Sequence, residues 1–424
     1  VGAISVLYFA ALLAGASSVP VFIGLETAAL LAVAVLALRR TMFAPEVPPD
    51  HPPCSWNGVL AGAMAILVLL LAWGLFDSYE TNPFGEWDAW SIWNLRAKML
   101  ASDSWRNALS PLLDASHPDY PLLLSGFIGR VWRLSGGAAP FVPAATSALF
   151  LFATLCLTVS ALAAARRASL GWMAALVLGG TTGYVLQGPV QYADLPLAFY
   201  FLSTAALLCL ADRFPDHSAP LLAGAGLSAS LAAWTKNEGW VFFGIAILLW
   251  FVLRRRGWIP LLAGALPVTT LALAFRLSIA PPADPFIKQG LGGALAHFGV
   301  ASRYQQVAGS FFTEILNLGT PFTHPLLILA VLAFALRFDW PGRRTTSTLL
   351  IAITAAMLIS YAAIFLATPS DLVWHLGTAA GRLIVQLWPL AVFTILFALR
   401  DPESYVPAPA SSMKQQRTPP PAHS

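Results

Sequence analysis

The chain has 424 residues, of which 58% are hydrophobic and only 10% charged, where a soluble globular domain carries roughly 25% charge. Its net charge of +4 and pI near 9.1 come from cations scattered over short segments, which argues against nucleic acid as a partner, since that would want one clustered basic face. The three cysteines, Cys54, Cys156 and Cys209, lack metal-type spacing, which argues against a disulfide framework or a zinc site.

The sequence opens at Val1 inside an apolar run with no charged leader region. No cleavable signal peptide is read there, and the N-terminus is taken as incomplete. Apolar runs follow at 3–18, 20–38, 58–76, 141–165, 170–187 and 193–211, then at 221–234, 240–253, 258–278, 322–336, 347–366 and 383–399. About 20 residues at 1.5 Å rise cross the hydrocarbon core, so the expectation is an all-α, polytopic helical membrane protein with about 12 transmembrane helices. A membrane β-barrel would alternate apolar and polar residues, and these runs do not.

Arg39-Arg40, Arg166-Arg167, Arg213, Arg254-Arg255-Arg256, Arg343-Arg344 and Arg400 fall at alternate span ends, and one assignment places all of them in the cytoplasm. It leaves 77–140, 191–194, 236–239, 279–321 and 368–382 outside. The chain then divides into an N-terminal helical hairpin with a proline-rich cytoplasmic linker (1–57), a transmembrane core (58–400) with its large external loop at 77–140, and a cytoplasmic tail (401–424). That tail is rich in Pro, Ser and Ala and is expected to be disordered. Abundant alanine, with arginine outnumbering lysine, points to a GC-rich bacterial genome and so to the plasma (inner) membrane, with the external face toward the periplasm or exterior.

In the first external loop, Trp90, Trp93, Ala97 and Leu100 form an apolar stripe at helical spacing, with Ser91, Asn94, Arg96 and Lys98 largely off it. This predicts an amphipathic interfacial helix. A second helix is expected after the turn His117-Pro118-Asp119-Tyr120-Pro121, running to about residue 134; Arg130 and Arg133 make it peripheral or re-entrant rather than a full span.

Once orientation is accounted for, Glu86, Asp88, His117, Asp119, Asp194, Lys236, Glu238, His375 and Arg382 all fall on the external face, the layout of one active site or substrate vestibule. Asp88 reads as a general base or, structurally, as a helix N-cap. Glu86 is a second acid or a solvated loop residue. Trp87, Trp90 and Trp93 stack on a sugar or headgroup, or anchor the loop at the interface. Asp194 orients an acceptor, holds a metal, or caps the helix that has Pro196 in its first turn. Lys236 clamps a phosphate, or it snorkels or pairs with Glu238. Arg382 runs against the orientation rule, which favours a phosphate-binding role; His375 supports it or is structural. His117 and Tyr120 shape the vestibule, or only form the turn with Pro118 and Pro121.

Three stretches together resemble the type C glycosyltransferases, the superfamily of protein O-mannosyltransferases and aminoarabinose transferases. They are Glu86-Trp87-Asp88-Ala89-Trp90 with Arg96-Ala97-Lys98, then His117-Pro118-Asp119-Tyr120-Pro121-Leu122-Leu123, then Tyr192-Ala193-Asp194-Leu195-Pro196 with Trp234-Thr235-Lys236-Asn237-Glu238-Gly239. Many members carry two adjacent acids in the first loop, whereas Ala89 follows Asp88 here. The resemblance implies transfer of a sugar from a polyprenyl-phosphate carrier to a lipid, glycan or protein acceptor on the external side, with inversion. In that scheme Asp88 is the base; Lys236, Arg382 and His375 hold the donor phosphate; and Glu86, Asp194, Trp87, Trp90, Tyr192, His117 and Tyr120 orient the acceptor or sugar. Membrane lipids are the surrounding partners. No cofactor is required, although a divalent metal is compatible with such a fold. The competing class is a lipid or sugar transporter or flippase, which would place polar groups near mid-membrane.

Overall fold

The computed structural model describes residues 1–16, 18–24, 26–28, 31, 35, 56–281, 285–339 and 344–405. Helices account for nearly all of the described secondary structure, and no β-strand forms among those residues. Among the described residues, seven helices are long and apolar enough to cross a membrane: Trp56–Thr81, Phe141–Ala165, Asp194–Arg213, Asn237–Arg254, Trp258–Ile279, Arg344–Ala367 and Leu372–Ala398. An eighth arises if Ala168–Gly179 and Thr182–Val190, bent by 73° at their junction, count as one span.

This is fewer than the about 12 spans expected from apolar runs alone. Gly2–Leu13 and Pro325–Leu336 are helices of 12 residues each, roughly 18 Å long at 1.5 Å per residue, short of a core of about 30 Å; Ser218–Ala233, at 16 residues, returns the chain from the end of Asp194–Arg213 to the start of Asn237–Arg254. Nine of the 19 residues of the run at 20–38 lie outside the described residues, as do the linker at 41–55, Arg39-Arg40, Arg343 and residues 406–424 of the tail. The start of the tail is ordered: Pro402–Tyr405 forms a helical turn, and the Tyr405 hydroxyl donates to the Leu336 carbonyl at 2.8 Å.

Two segments expected as loops are helical. Residues 279–321 contain Pro285–Phe298 and Ala301–Leu316. Residues 368–382 are mostly the start of the Leu372–Ala398 helix, because Asp371 caps it by accepting from the Trp374 amide at 2.8 Å. His375 and Arg382 therefore project from a helix rather than a loop.

Close packing explains the core. Gly226 and Gly264 sit where the Ser218–Ala233 helix crosses Trp258–Ala274; a Cβ on either would run into a backbone carbonyl, of Leu261 and Ala223 respectively. Small residues let membrane helices approach in this way and gain van der Waals contact. The N-terminal helix Gly2–Leu13 docks on the first-loop helices. Ser5 donates to the Leu122 carbonyl at 2.8 Å and Tyr8 to the Leu100 carbonyl at 2.7 Å, while Phe9 meets Trp105, Trp234 and Phe275 at centroid distances of 6.1, 5.6 and 5.8 Å.

The first-loop elements follow the expected order with two changes of face. Ala89–Trp93 is a π-helical turn that continues into the α-helix Asn94–Leu100, and Leu123–Ser135 is the second helix. Trp93, Ala97 and Leu100 are buried, but Trp90 is exposed, because the wider π turn rotates it off the stripe. Arg96, expected on the polar side, is fully buried. It donates to the carbonyls of Ala108, His117 and Pro118 at 3.3, 3.1 and 3.2 Å. One guanidinium thus sets the path of the loop into the His117–Pro121 turn, where His117 takes a left-handed backbone at φ 47°.

Candidate active site

The site forms where four chain segments meet at one end of the bundle. Asp194 is the first residue of the Asp194–Arg213 helix, and Lys236 precedes the Asn237–Arg254 helix, with Glu238 in its first turn. Arg382 and Gln386 lie one turn apart on Leu372–Ala398, and Asp88 stands at the start of the π turn. Two backbone links hold these segments in register: the Leu123 amide donates to the Trp234 carbonyl at 3.0 Å, and the Glu86 amide to the Val190 carbonyl at 3.3 Å. Gly239 allows the turn after Lys236, since a Cβ there would collide with the Ala232 carbonyl.

Asp194 is the centre. It is fully buried; its Oδ1 accepts from Lys236 Nζ at 3.0 Å and from the Gln386 amide, and its Oδ2 accepts from Arg382 Nε at 3.0 Å, with Arg382 Nη2 in ion-pair contact at 3.0 Å. The Tyr361 hydroxyl donates to Gln386 Oε1 at 2.9 Å. Each cation also holds a second carboxylate. Arg382 Nη1 donates to Asp88 Oδ2 at 2.6 Å, and Lys236 Nζ lies 3.0 Å from Glu238 Oε1. Arg382 further lies over the Tyr192 ring, 4.6 Å from its centroid, while the Tyr192 hydroxyl accepts from the Asp88 amide at 3.3 Å. Buried charges need such partners, because an isolated ion would be costly there.

Burial alone would lower the Lys236 ammonium; Asp194 and Glu238 outweigh it, so the pKa is raised and the side chain stays charged. The Tyr120 phenol is pushed well above its usual value by burial and then by Glu238 and Asp119, and the Tyr192 phenol is raised by burial. Burial lowers the His117 imidazole, which favours its neutral form.

The remaining expected residues take different places. The Asp88 side chain makes no capping bond, so the cap alternative does not describe it. Asp194 likewise spends its carboxylate on cations rather than on backbone amides. Glu86 is exposed, and Trp87 and Trp90 form an exposed edge-to-face pair 4.4 Å apart at the rim. Tyr120 is stacked between Trp93 and His117, at 5.7 and 4.5 Å. His375 is not bonded to the cluster; its Nδ1 lies 2.9 Å from Thr368 Oγ1 and its ring packs against Phe365.

Sequence reasoning missed Gln386 and Tyr361, which sit inside apolar runs. A glutamine amid Ile384-Val385 and Leu387-Trp388 was the signal that could have found the first, since a lone amide in a span needs a polar partner. Asp119, expected on the external face but with no role assigned, adjoins the cluster: its Oδ2 accepts from Asn237 Nδ2 and Arg276 Nη1, both at 3.2 Å. Among the described residues no group of three or more His, Cys, Asp or Glu is arranged to hold a metal ion, and Asp88, Asp194 and Glu238 are engaged by cations. Comparison with protein-family models, curated proteins and solved structures finds no match.

Proposed function

We propose that the protein is a membrane glycosyltransferase that moves a sugar from a polyprenyl-phosphate donor to an acceptor hydroxyl of a lipid, glycan or protein, at the external face of a bacterial plasma membrane. One observation carries this reading: Asp88, Lys236 and Arg382, from distant parts of the sequence, converge around Asp194 at one end of the bundle.

The chemistry that fits is a single displacement. The acceptor oxygen attacks the anomeric carbon as its proton passes to Asp88, and the bond from that carbon to the phosphate oxygen breaks with its electron pair going to the phosphate. The product has inverted configuration. Negative charge grows on the leaving phosphate, and fixed cations lower that barrier because they need little reorganisation. Lys236 and Arg382 fill this role, with their side chains held by Asp194, which Gln386 in turn pins. Trp87 and Trp90 stand at the rim, where a ring stacks on a sugar face, and the carrier's tail lies among the apolar helices.

The test is reconstitution of the full chain with a panel of polyprenyl-phosphate sugars, comparing wild type with Asp88→Asn. Loss of transfer by about 10²–10⁴ in the variant is the expected result for removal of a general base. Movement of intact sugar-lipid across vesicles, with no bond cleaved, would replace this reading with that of a carrier.

A further inference from the structure

This inference rests on the glycosyl-transfer reading of the same site. Both cations assigned to the donor phosphate are already occupied, and their partners differ in kind. The inner partner, Asp194, is shared by Arg382 and Lys236; it is fully buried and pinned by Gln386, which Tyr361 holds in turn. The outer partners are separate and reach solvent: the Asp88 side chain is 20% exposed and that of Glu238 is 16% exposed. Arg382 keeps its Nε and Nη2 edge on Asp194 and offers Asp88 only Nη1.

We propose that the donor phosphate binds by exchange, taking the place of Asp88 on Arg382 Nη1 and of Glu238 on Lys236, so that Asp88 is released as a base only when the donor is seated. Two cations face three carboxylates here, so adding an anionic phosphate on top of the existing pairs is opposed by charge. Exchange removes that opposition. A polyprenyl-phosphate sugar is a phosphodiester with two unshared oxygens, one for each cation. Asp88 Oδ2 has a lone pair committed to the guanidinium, and on release that lone pair is open to the acceptor hydroxyl. After transfer, the proton on Asp88 passes to water as polyprenyl phosphate leaves and the Arg382 pair re-forms.

The exchange makes a prediction that a plain catalytic base does not: removing the competing carboxylate tightens phosphate binding. Polyprenyl monophosphate binding is measured on the full chain in lipid nanodiscs, with inorganic phosphate as competitor. Asp88→Asn should bind about two- to fivefold tighter than wild type, the size of one partly exposed ion pair, while losing transfer. Glu238→Gln should also tighten binding, and it keeps the proposal testable if the first variant folds poorly. Arg382→Gln should lose most of the binding. If both carboxylate variants bind no tighter than wild type while Arg382→Gln loses binding, the exchange is wrong and the phosphate site stands. If Arg382→Gln and Lys236→Gln bind as wild type does, the functional reading falls with it. Displacement by inorganic phosphate at equal concentration would assign the site to free phosphate and overturn the lipid-headgroup source.

Discussion

Asp194→Asn isolates the charge at the centre of the site, because asparagine keeps the shape and one oxygen for the Gln386 amide. The substitution breaks the ion pair to Lys236 at 3.0 Å and the ion pair to Arg382 at 3.0 Å. At an effective dielectric of about 20, each is a gross attraction of about 5–6 kcal/mol. Desolvating the Asp194 carboxylate offsets several kcal/mol of that, so the figure that decides is the net cost of breaking a buried pair, about 3–5 kcal/mol. Lys236, only 3% exposed, would keep Glu238 alone, and Arg382 would keep Asp88. Denaturant unfolding in mixed micelles, followed by tryptophan fluorescence, measures the destabilisation. The double variant Asp194→Asn with Lys236→Gln should recover part of it, since the second change removes the uncompensated ammonium; the coupling should be about 0.5–3 kcal/mol. A cost below about 1 kcal/mol for the single variant, the range of exposed ion pairs, would refute the view that Asp194 is the structural centre.

Arg96→Lys should not be tolerated, because an ammonium does not reproduce the planar fork that serves three carbonyls; faster proteolysis between residues 101 and 122, with reduced transfer, is the expected outcome. Burial lowers the His117 pKa below its ordinary 6.5, so the unfolded chain binds the proton more readily, and stability is complete above about pH 6.5 and falls as pH drops below it. His117→Asn, which tolerates the left-handed backbone, should flatten that acid limb in unfolding curves taken between about pH 7 and 5. Tyr361→Phe should cost about 0.5–1.5 kcal/mol through loss of the hydrogen bond to Gln386, and should lower transfer without abolishing it.

The sequence made the helical membrane class, the first-loop helices and the cluster partners Asp88, Asp194, Lys236 and Arg382 legible, each for a physical reason. Charge is sparse in these apolar runs, so an ion at a span end stands out. Span number was less legible, because hydropathy does not distinguish a short helix packed inside a bundle from one that crosses a bilayer. Arg96 was misassigned because helical periodicity treats every arginine as solvent-seeking, whereas three carbonyls from an irregular loop can hold one in the interior. Trp90 was misassigned because a π turn has a different period from the helix assumed in placing the stripe. Gln386 and Tyr361 carry no formal charge, so they were lost among the apolar residues on either side.

The two ends of the bundle handle charge in opposite ways, and the difference follows from helix direction. Asp194–Arg213 and Asn237–Arg254 both begin at the site and end at Asp212, which pairs with Arg254 and Arg256. At that far end, Arg166 donates to the carbonyls of Phe397 and Leu399, acceptors at the C-terminal end of Leu372–Ala398, where the helix dipole is negative. The arginines read for orientation therefore also close helix C-termini. At the site end the dipoles are positive, and Asp194 and Glu238 occupy first turns. If Glu238 and Asp88 swing away, the amide ends of these helices remain, and they favour whichever anion replaces the carboxylates. An acid-rich resting site and a phosphate-binding working site are thus compatible: the same helix ends stabilise either anion, and the exchange does not need a bare cation in the membrane at any stage.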